Sequence, residues 1–123
     1  MVNVMIIDDS DAIRMVLKDI LVIGQHKLVS ELPSGIDVLD EYKKSNPDIV
    51  LLDMAMPKKD GLAVLKEIMA YNSKAKVIMI SASDNQETVK GCINAGASAY
   101  ILKPFNFQEV LNVIIRVAQS YTG

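Results

Sequence analysis

The sequence is short of several residue types, and each shortage excludes something. In 123 residues it holds one cysteine, Cys92, and one histidine, His26. A lone cysteine rules out a disulfide scaffold and makes the cytoplasm the expected location. A lone histidine supports neither a histidine metal cluster nor a Ser-His-Asp triad, and His26 is expected at a loop or strand edge. There is no excess of charge of one sign: 13 Lys and Arg face 15 Asp and Glu, for a net charge of -2. The basic residues make only short pairs, Lys43-Lys44 and Lys58-Lys59, so nucleic acid is not an expected partner. No apolar run approaches the roughly 18 residues of a membrane span. The N-terminus lacks the basic start and small-residue cleavage site of a signal peptide. Membrane insertion is therefore not expected.

What is present is core material. Half the residues are hydrophobic, enough for one domain over residues 1–123 without disulfides or structural metal. Short apolar runs alternate with helical spacing. Val2–Ile7 reads as a first strand, followed by Ile13, Val16, Leu17, Ile20 and Leu21 at helix spacing, with Gly24 as a stop. Lys27–Glu31 is a weaker second strand. Ser34 is the expected cap of a helix carrying Ile36, Val38, Leu39 and Tyr42, which ends before Pro47. Ile49–Leu52 is the third strand, and Asp60 can cap a helix with Leu62, Leu65, Ile68 and Met69 inward.

Val77–Ile80 is the fourth strand. Asp84 with Glu87 has capping-box spacing for a helix reaching Gly96, and Ala99–Leu102 is the fifth strand. Asn106 with Glu109 repeats that spacing, flanked by Phe105 and Val110 as a hydrophobic staple. The last helix then carries Val110, Leu111, Val113, Ile114 and Val117. Strands one, three and four are apolar throughout, as strands covered on both faces are. Five strands alternating with five helices give an α/β fold with a parallel sheet between two helical layers.

In such a sheet, ligands bind beyond the carboxyl ends of the strands, where the winding reverses. Strand one runs into Asp8-Asp9, strand three into Asp53, strand four into Ser81 and strand five into Lys103-Pro104. Two adjacent acids at the end of a buried strand need a positive partner. Three carboxylates on one rim make a hard oxygen site suited to Mg²⁺ or Mn²⁺, with no soft ligand present. Lys103 adds a fixed positive charge suited to a phosphoryl oxygen or a carboxylate. A carboxylate can itself accept a phosphoryl group, so the set suits phosphoryl transfer onto an Asp. Taken singly, each residue has a plainer role. Asp9, Ser10 or Asp11 can simply cap a helix, Asp53 and Lys103-Pro104 can belong to turns, Ser81 can be an ordinary hydroxyl, and Tyr100 can be core.

Together these residues resemble the receiver domains of two-component response regulators, over the whole chain. The matching motifs are Ile7-Asp8-Asp9-Ser10, Leu52-Asp53-Met54-Ala55-Met56-Pro57, Asp60-Gly61, Ile80-Ser81-Ala82, Ala95-Gly96-Ala97 and Lys103-Pro104-Phe105. The resemblance implies the flavodoxin-like strand order 2-1-3-4-5, for which a member of this family is a standing example. It implies Asp53 as phosphoacceptor, and Asp9, Asp53 and the backbone carbonyl of Ala55 as ligands of Mg²⁺, with Asp8 acting through a water. It implies that Lys103 pairs with the phosphoryl group, that the bond before Pro104 is cis, and that Ser81 and Tyr100 move together as a switch. No position needed for phosphorylation is missing. Ala55 and Ser83 occupy two positions that vary in the family and tune phosphoryl lifetime.

The run from Asp8 to Ile20 and Lys103-Pro104-Phe105 are most similar to chemotaxis (CheY-like) regulators. That implies a histidine kinase as donor and a motor switch or adaptor as target. The expected docking face is helix four, strand five and helix five, roughly Asn85–Ala95, Ala99–Leu102 and Phe107–Gln119. A switch of this kind is not a turnover enzyme. A phosphorelay intermediate, or a receiver from a larger regulator, is the alternative, although the starting Met and full fifth helix fit a whole protein. A remoter one is an aspartate-based phosphatase, suggested by Asp9-Ser10-Asp11 but opposed by Ile13 and the lack of room for a cap domain. A flavodoxin-type flavin carrier is opposed by the acidic loop after strand one, since function follows the site and not the fold.

Overall fold

The chain alternates strand and helix from end to end. In this computed structural model, which describes residues 1–120, the first half is β1 (Asn3–Ile7), α1 (Asp11–Ile23), β2 (Lys27–Leu32), α2 (Val38–Ser45) and β3 (Ile49–Asp53). The second half is α3 (Gly61–Tyr71), β4 (Val77–Ser81), α4 (Gln86–Asn94), β5 (Ala99–Leu102) and α5 (Phe107–Ala118). All neighbouring strands pair in parallel, in the order β2-β1-β3-β4-β5.

Successive residues of a strand face opposite sides, so an apolar run supplies two cores at once. Val4, Ile6, Ile49, Leu51, Ile78 and Ile80 pack under α1 and α5, against Leu17, Leu21, Val110 and Ile114. Met5, Ile7, Val50, Leu52, Val77 and Met79 pack under α2, α3 and α4, against Val38, Tyr42, Val64, Leu65, Ile68 and Cys92. This double coverage is why β1 is apolar after Asn3, and why β3 and β4 are apolar until Asp53 and Ser81. The edge strand β2 is only half-buried and shows mixed composition.

Helix starts follow local hydrogen-bond supply. Ser10, Asp60 and Asn106 are N-caps whose side chains accept from the amides of Ile13, Ala63 and Glu109. Phe105 and Val110 lie in the same core cluster, as a staple requires. Two expected caps are displaced. Ser34 accepts from the Ile36 amide within a turn, and α2 begins only at Val38, after Asp37 in a left-handed conformation. Gly35 explains the delay: a Cβ there would lie 2.7 Å from the Lys59 carbonyl oxygen, so this segment is held against the β3–α3 loop. The cap of α4 is Asn85 and not Asp84, because the Asn85 carboxamide serves two free amides, of Glu87 and Thr88. Leu65 and Ile68 lie inward on α3 as expected, together with Val64, whereas Leu62 and Met69 are only partly buried.

Candidate functional site

From β1 the chain passes outward to β2 and then returns to β3 on the other side of β1. The carboxyl ends of β1 and β3 thus flank the point of reversal, where an open α/β sheet leaves a crevice. Asp8 follows β1 and is fully buried, while Asp9 is exposed. Asp53 is the last residue of β3 and 3% exposed; Ser81 is the last of β4 and 2% exposed. Lys103 follows β5, and its peptide bond to Pro104 is cis.

These side chains converge. Carboxylate oxygens of Asp8, Asp9 and Asp53 lie within 4.8 Å of one another. The Lys103 Nζ donates to Asp53 Oδ1 at 3.2 Å and to Asp8 Oδ2 at 3.3 Å. Every polar atom of Asp8 is engaged. Its amide donates to the Leu32 carbonyl, its carbonyl accepts from Arg14, and Oδ1 accepts from the Ser10 amide at 2.9 Å. The Asp9 carboxylate is exposed to solvent and meets that of Asp53, a contact that adds to the upward shift of the Asp53 carboxyl.

The electrostatics show which charge is left uncompensated. Burial, then the neighbouring Asp8 charge, push the Asp53 carboxyl up to about 6, against the opposing pull of Lys103. Burial works against the Lys103 ammonium too, but the Asp53 and Asp8 carboxylates outweigh it and hold its pKa above the ordinary value. Three carboxylates thus share one ammonium. An all-oxygen cluster with excess negative charge fits a hard divalent cation, which Asp8, Asp9 and Asp53 together could hold.

Ser81 and Tyr100 are joined through one loop residue. The Ser81 Oγ accepts from the Ser83 amide at 3.1 Å, and the Tyr100 hydroxyl donates to the Ser83 carbonyl at 2.8 Å. The structure brings Ser81 to the same sheet rim as Asp53 but leaves Tyr100 linked to it only through Ser83. Ala55 is exposed beside the site, and its amide makes a long, 3.4 Å contact with Asp53 Oδ1.

Two site residues were not assigned a role from the sequence. Gly61 donates to the Met54 carbonyl, and a Cβ on it would lie 2.3 Å from the Asp53 carbonyl oxygen. Only glycine lets α3 start against the backbone of the acidic residue. Arg14 lies inside the motif after Asp8-Asp9. Its guanidinium bonds the Asp8 carbonyl at 2.6 Å, Glu31 at 3.1 Å and also Asp11. An Arg four residues past Ser10 signals nothing by itself, because one of its partners is a main-chain oxygen.

A separate cleft of about 430 Å³ opens at the amino ends of the strands beside Tyr42, Asp48, Asn72 and Lys76. Its most buried cation is already used: the Lys76 ammonium donates to the carbonyls of Ala118 and Ser120. Among the described residues, no helix is long and apolar enough to cross a membrane.

Comparison with known proteins agrees with this geometry. Residues 4–115 match the family model of the response regulator receiver domain. The chain is 40% identical to the chemotaxis protein CheY of Bacillus subtilis, covering 91% of this chain and 93% of that one. It is 37% identical to CheY of Thermotoga maritima, over 95% and 98% of the two chains. A solved CheX-CheY-BeF3-Mg²⁺ complex from Borrelia burgdorferi contains a chain that superposes with a TM-score of 0.91 at 36% identity, over 96% of this chain and 90% of that one. By fold, by site and by these relatives, the chain belongs to the response regulator receiver domain family.

Proposed function

We propose that the chain is a phosphorylation-activated switch in chemotaxis signalling, with Asp53 as its phosphoacceptor. The observation that carries the reading is the pairing of a buried, partly neutralised Asp53 with Lys103 in a cluster of acids. In the reaction, an Asp53 carboxylate oxygen attacks the phosphorus of a phosphohistidine on a kinase. The new P–O bond forms as the P–N bond breaks, and the departing imidazole keeps the electron pair and takes up a proton. Lys103 is placed to follow the negative charge from Asp53 to a phosphoryl oxygen. When bound, Mg²⁺ supplies charge neutralisation for the acids and the incoming phosphoryl group. Asp9, Asp53 and the Ala55 carbonyl are the residues that would hold it, with Asp8 in the outer sphere; Mn²⁺ suits the same donors.

Ser81 offers its hydroxyl to a phosphoryl oxygen, and Tyr100 follows through Ser83. The output is a changed docking surface on α4, β5 and α5, read by a motor switch or an adaptor in the cytoplasm. The CheY relatives support this reading, and the CheX-CheY complex shows that a similar receiver binds another protein.

The test is intact mass after incubation with acetyl phosphate, with and without Mg²⁺, on this chain and on Asp53→Ala. A Mg²⁺-dependent gain of one phosphoryl group, absent in the variant, is expected. The same gain in Asp53→Ala would move the acceptor elsewhere.

A further inference from the structure

Two carboxylates on adjacent residues of a chain normally point apart. For Asp8 and Asp9 to serve one ion, the peptide that joins them must be held at a fixed tilt. The carbonyl of that peptide belongs to Asp8, and the Arg14 Nη1 donates to it at 2.6 Å. The same guanidinium is held from two other sides. Its Nε donates to Glu31 Oε2 at 3.1 Å on β2, and its Nη2 donates to Asp11 in the first turn of α1. Glu31 is in turn bonded by Lys18 at 2.9 Å, and the Lys18 hydrogen bond is the main reason its carboxyl titrates below the ordinary range. The Arg14 side chain is only 13% exposed. A mostly buried fork fixed at three points is a rigid part, and its third point is the link between two acids of the site.

We propose that Arg14 is a positioning residue for the divalent-cation site: it sets the Asp8–Asp9 peptide so that both carboxylates face one ion. The proposal rests on the reading of Asp8, Asp9 and Asp53 as a cation site, and its test separates the two. Arg14 touches neither an ion nor a carboxylate of the cluster. It acts through the main chain, which long-range attraction between its charge and the acids does not require. Lysine keeps the charge but lacks the planar fork and its several donors, so Arg14→Lys distinguishes position from charge.

The experiment is Mg²⁺ titration of the unphosphorylated full chain by calorimetry, beside Arg14→Lys, Arg14→Gln, Glu31→Gln and Lys18→Gln. Outer partners of metal ligands are typically worth about 10–100-fold in affinity. Arg14→Lys and Arg14→Gln are both expected to bind Mg²⁺ about tenfold more weakly than the unaltered chain. Lys18→Gln removes a positive charge from the same network without touching Asp8, and is expected to change affinity less than about twofold. Amide shifts of Asp9 and Ser10 in the metal-free protein are expected to move in both Arg14 variants, which a role in stability alone does not require.

Wild-type affinity in Arg14→Lys overturns the inference and leaves the cation site standing. An equal loss in Lys18→Gln also overturns it, since charge alone would then account for the effect. Failure of the unaltered chain to bind Mg²⁺ overturns both the inference and the site. If the Arg14 variants do not fold, Glu31→Gln decides. It loosens the fork without removing it, so about threefold weaker binding is expected and unchanged binding refutes the proposal.

Discussion

Lys103 Nζ lies between two buried acids, 3.2 Å from Asp53 Oδ1 and 3.3 Å from Asp8 Oδ2. One cation from the end of β5 thus holds together acids at the ends of β3 and β1. Removing one partner of a buried ion pair leaves charge uncompensated and costs about 3–5 kcal/mol. Lys103 keeps 21% of its side chain in solvent, which lowers that figure. Lys103→Ala is therefore expected to lose about 2–3 kcal/mol in the absence of metal, by urea unfolding. It should still bind Mg²⁺, and millimolar Mg²⁺ should restore more stability to the variant than it adds to the unaltered chain. A loss below about 0.5 kcal/mol, unaffected by Mg²⁺, would mean that solvent already neutralises the acids.

Asp53 gives a prediction with a defined sign. Its carboxyl ionises at about 6 in the folded protein and at 3.8 without the fold. The folded-state value is raised, so ionisation of Asp53 weakens the fold progressively as pH climbs from 4 through 6. Asp53→Asn removes that penalty. Without metal it should be more stable than the unaltered chain at pH 8, by about 1–2 kcal/mol after allowance for solvent screening. At pH 4 the advantage should be gone, since both chains are then essentially neutral at this position. Thermal midpoints at pH 4, 6 and 8 check it. An equal gain at every pH would trace the effect to packing and not to charge.

The buried sheet is the part most legible in the sequence. β1, β3 and β4 are runs such as Val4-Met5-Ile6-Ile7, whose alternate residues feed two different cores. A strand covered on both faces accounts for four apolar residues in succession ending on two acids, and the run is too short for a buried helix. The candidate site was legible for the same reason: Asp8, Asp53 and Ser81 stand where those runs stop, and Lys103 follows the shorter β5. Helix starts were less legible. Ser83, Asp84 and Asn85 are all capable of capping, and the choice of Asn85 depends on how the chain leaves β4. The start of α2 depends on Gly35 meeting Lys59, a contact between segments far apart in sequence. Arg14 was invisible for a related reason: its main acceptor is a backbone carbonyl, and every residue has one.

Gly91 lies inside α4 without an evident need for glycine. A Cβ placed there meets nothing within 4 Å. Its φ is not in the left-handed range. Glycine in a helix interior is less favourable than alanine by about 0.5–1 kcal/mol, through the freedom it gives the unfolded chain. Gly91→Ala should therefore raise stability by about that amount, read as a shift in the urea midpoint at constant slope. A decrease would show that α4 needs to bend at this position.

Tyr100 and Ser81 grip opposite ends of the same residue. The Tyr100 hydroxyl donates to the Ser83 carbonyl at 2.8 Å, and the Ser83 amide donates to Ser81 Oγ at 3.1 Å. A turn of the Ser81 hydroxyl toward an incoming phosphoryl oxygen takes an acceptor from the Ser83 amide, and the loop feels it. Tyr100 reaches that loop from β5, with its ring packed against the α2, α3 and α4 side of the core. Tyr100→Phe keeps the ring and removes only the hydroxyl. Because Ser83 is only part-buried, water can take the vacated place, and the cost should be about 0.5–1 kcal/mol. Amides of the segment from Ser83 to Gln86 should exchange with solvent several-fold faster, while Mg²⁺ affinity and the extent of acetyl phosphate labelling stay unchanged. Unaltered exchange in that segment would mean that the loop is held by Asn85 and its cap alone, and that Tyr100 carries no signal from Ser81.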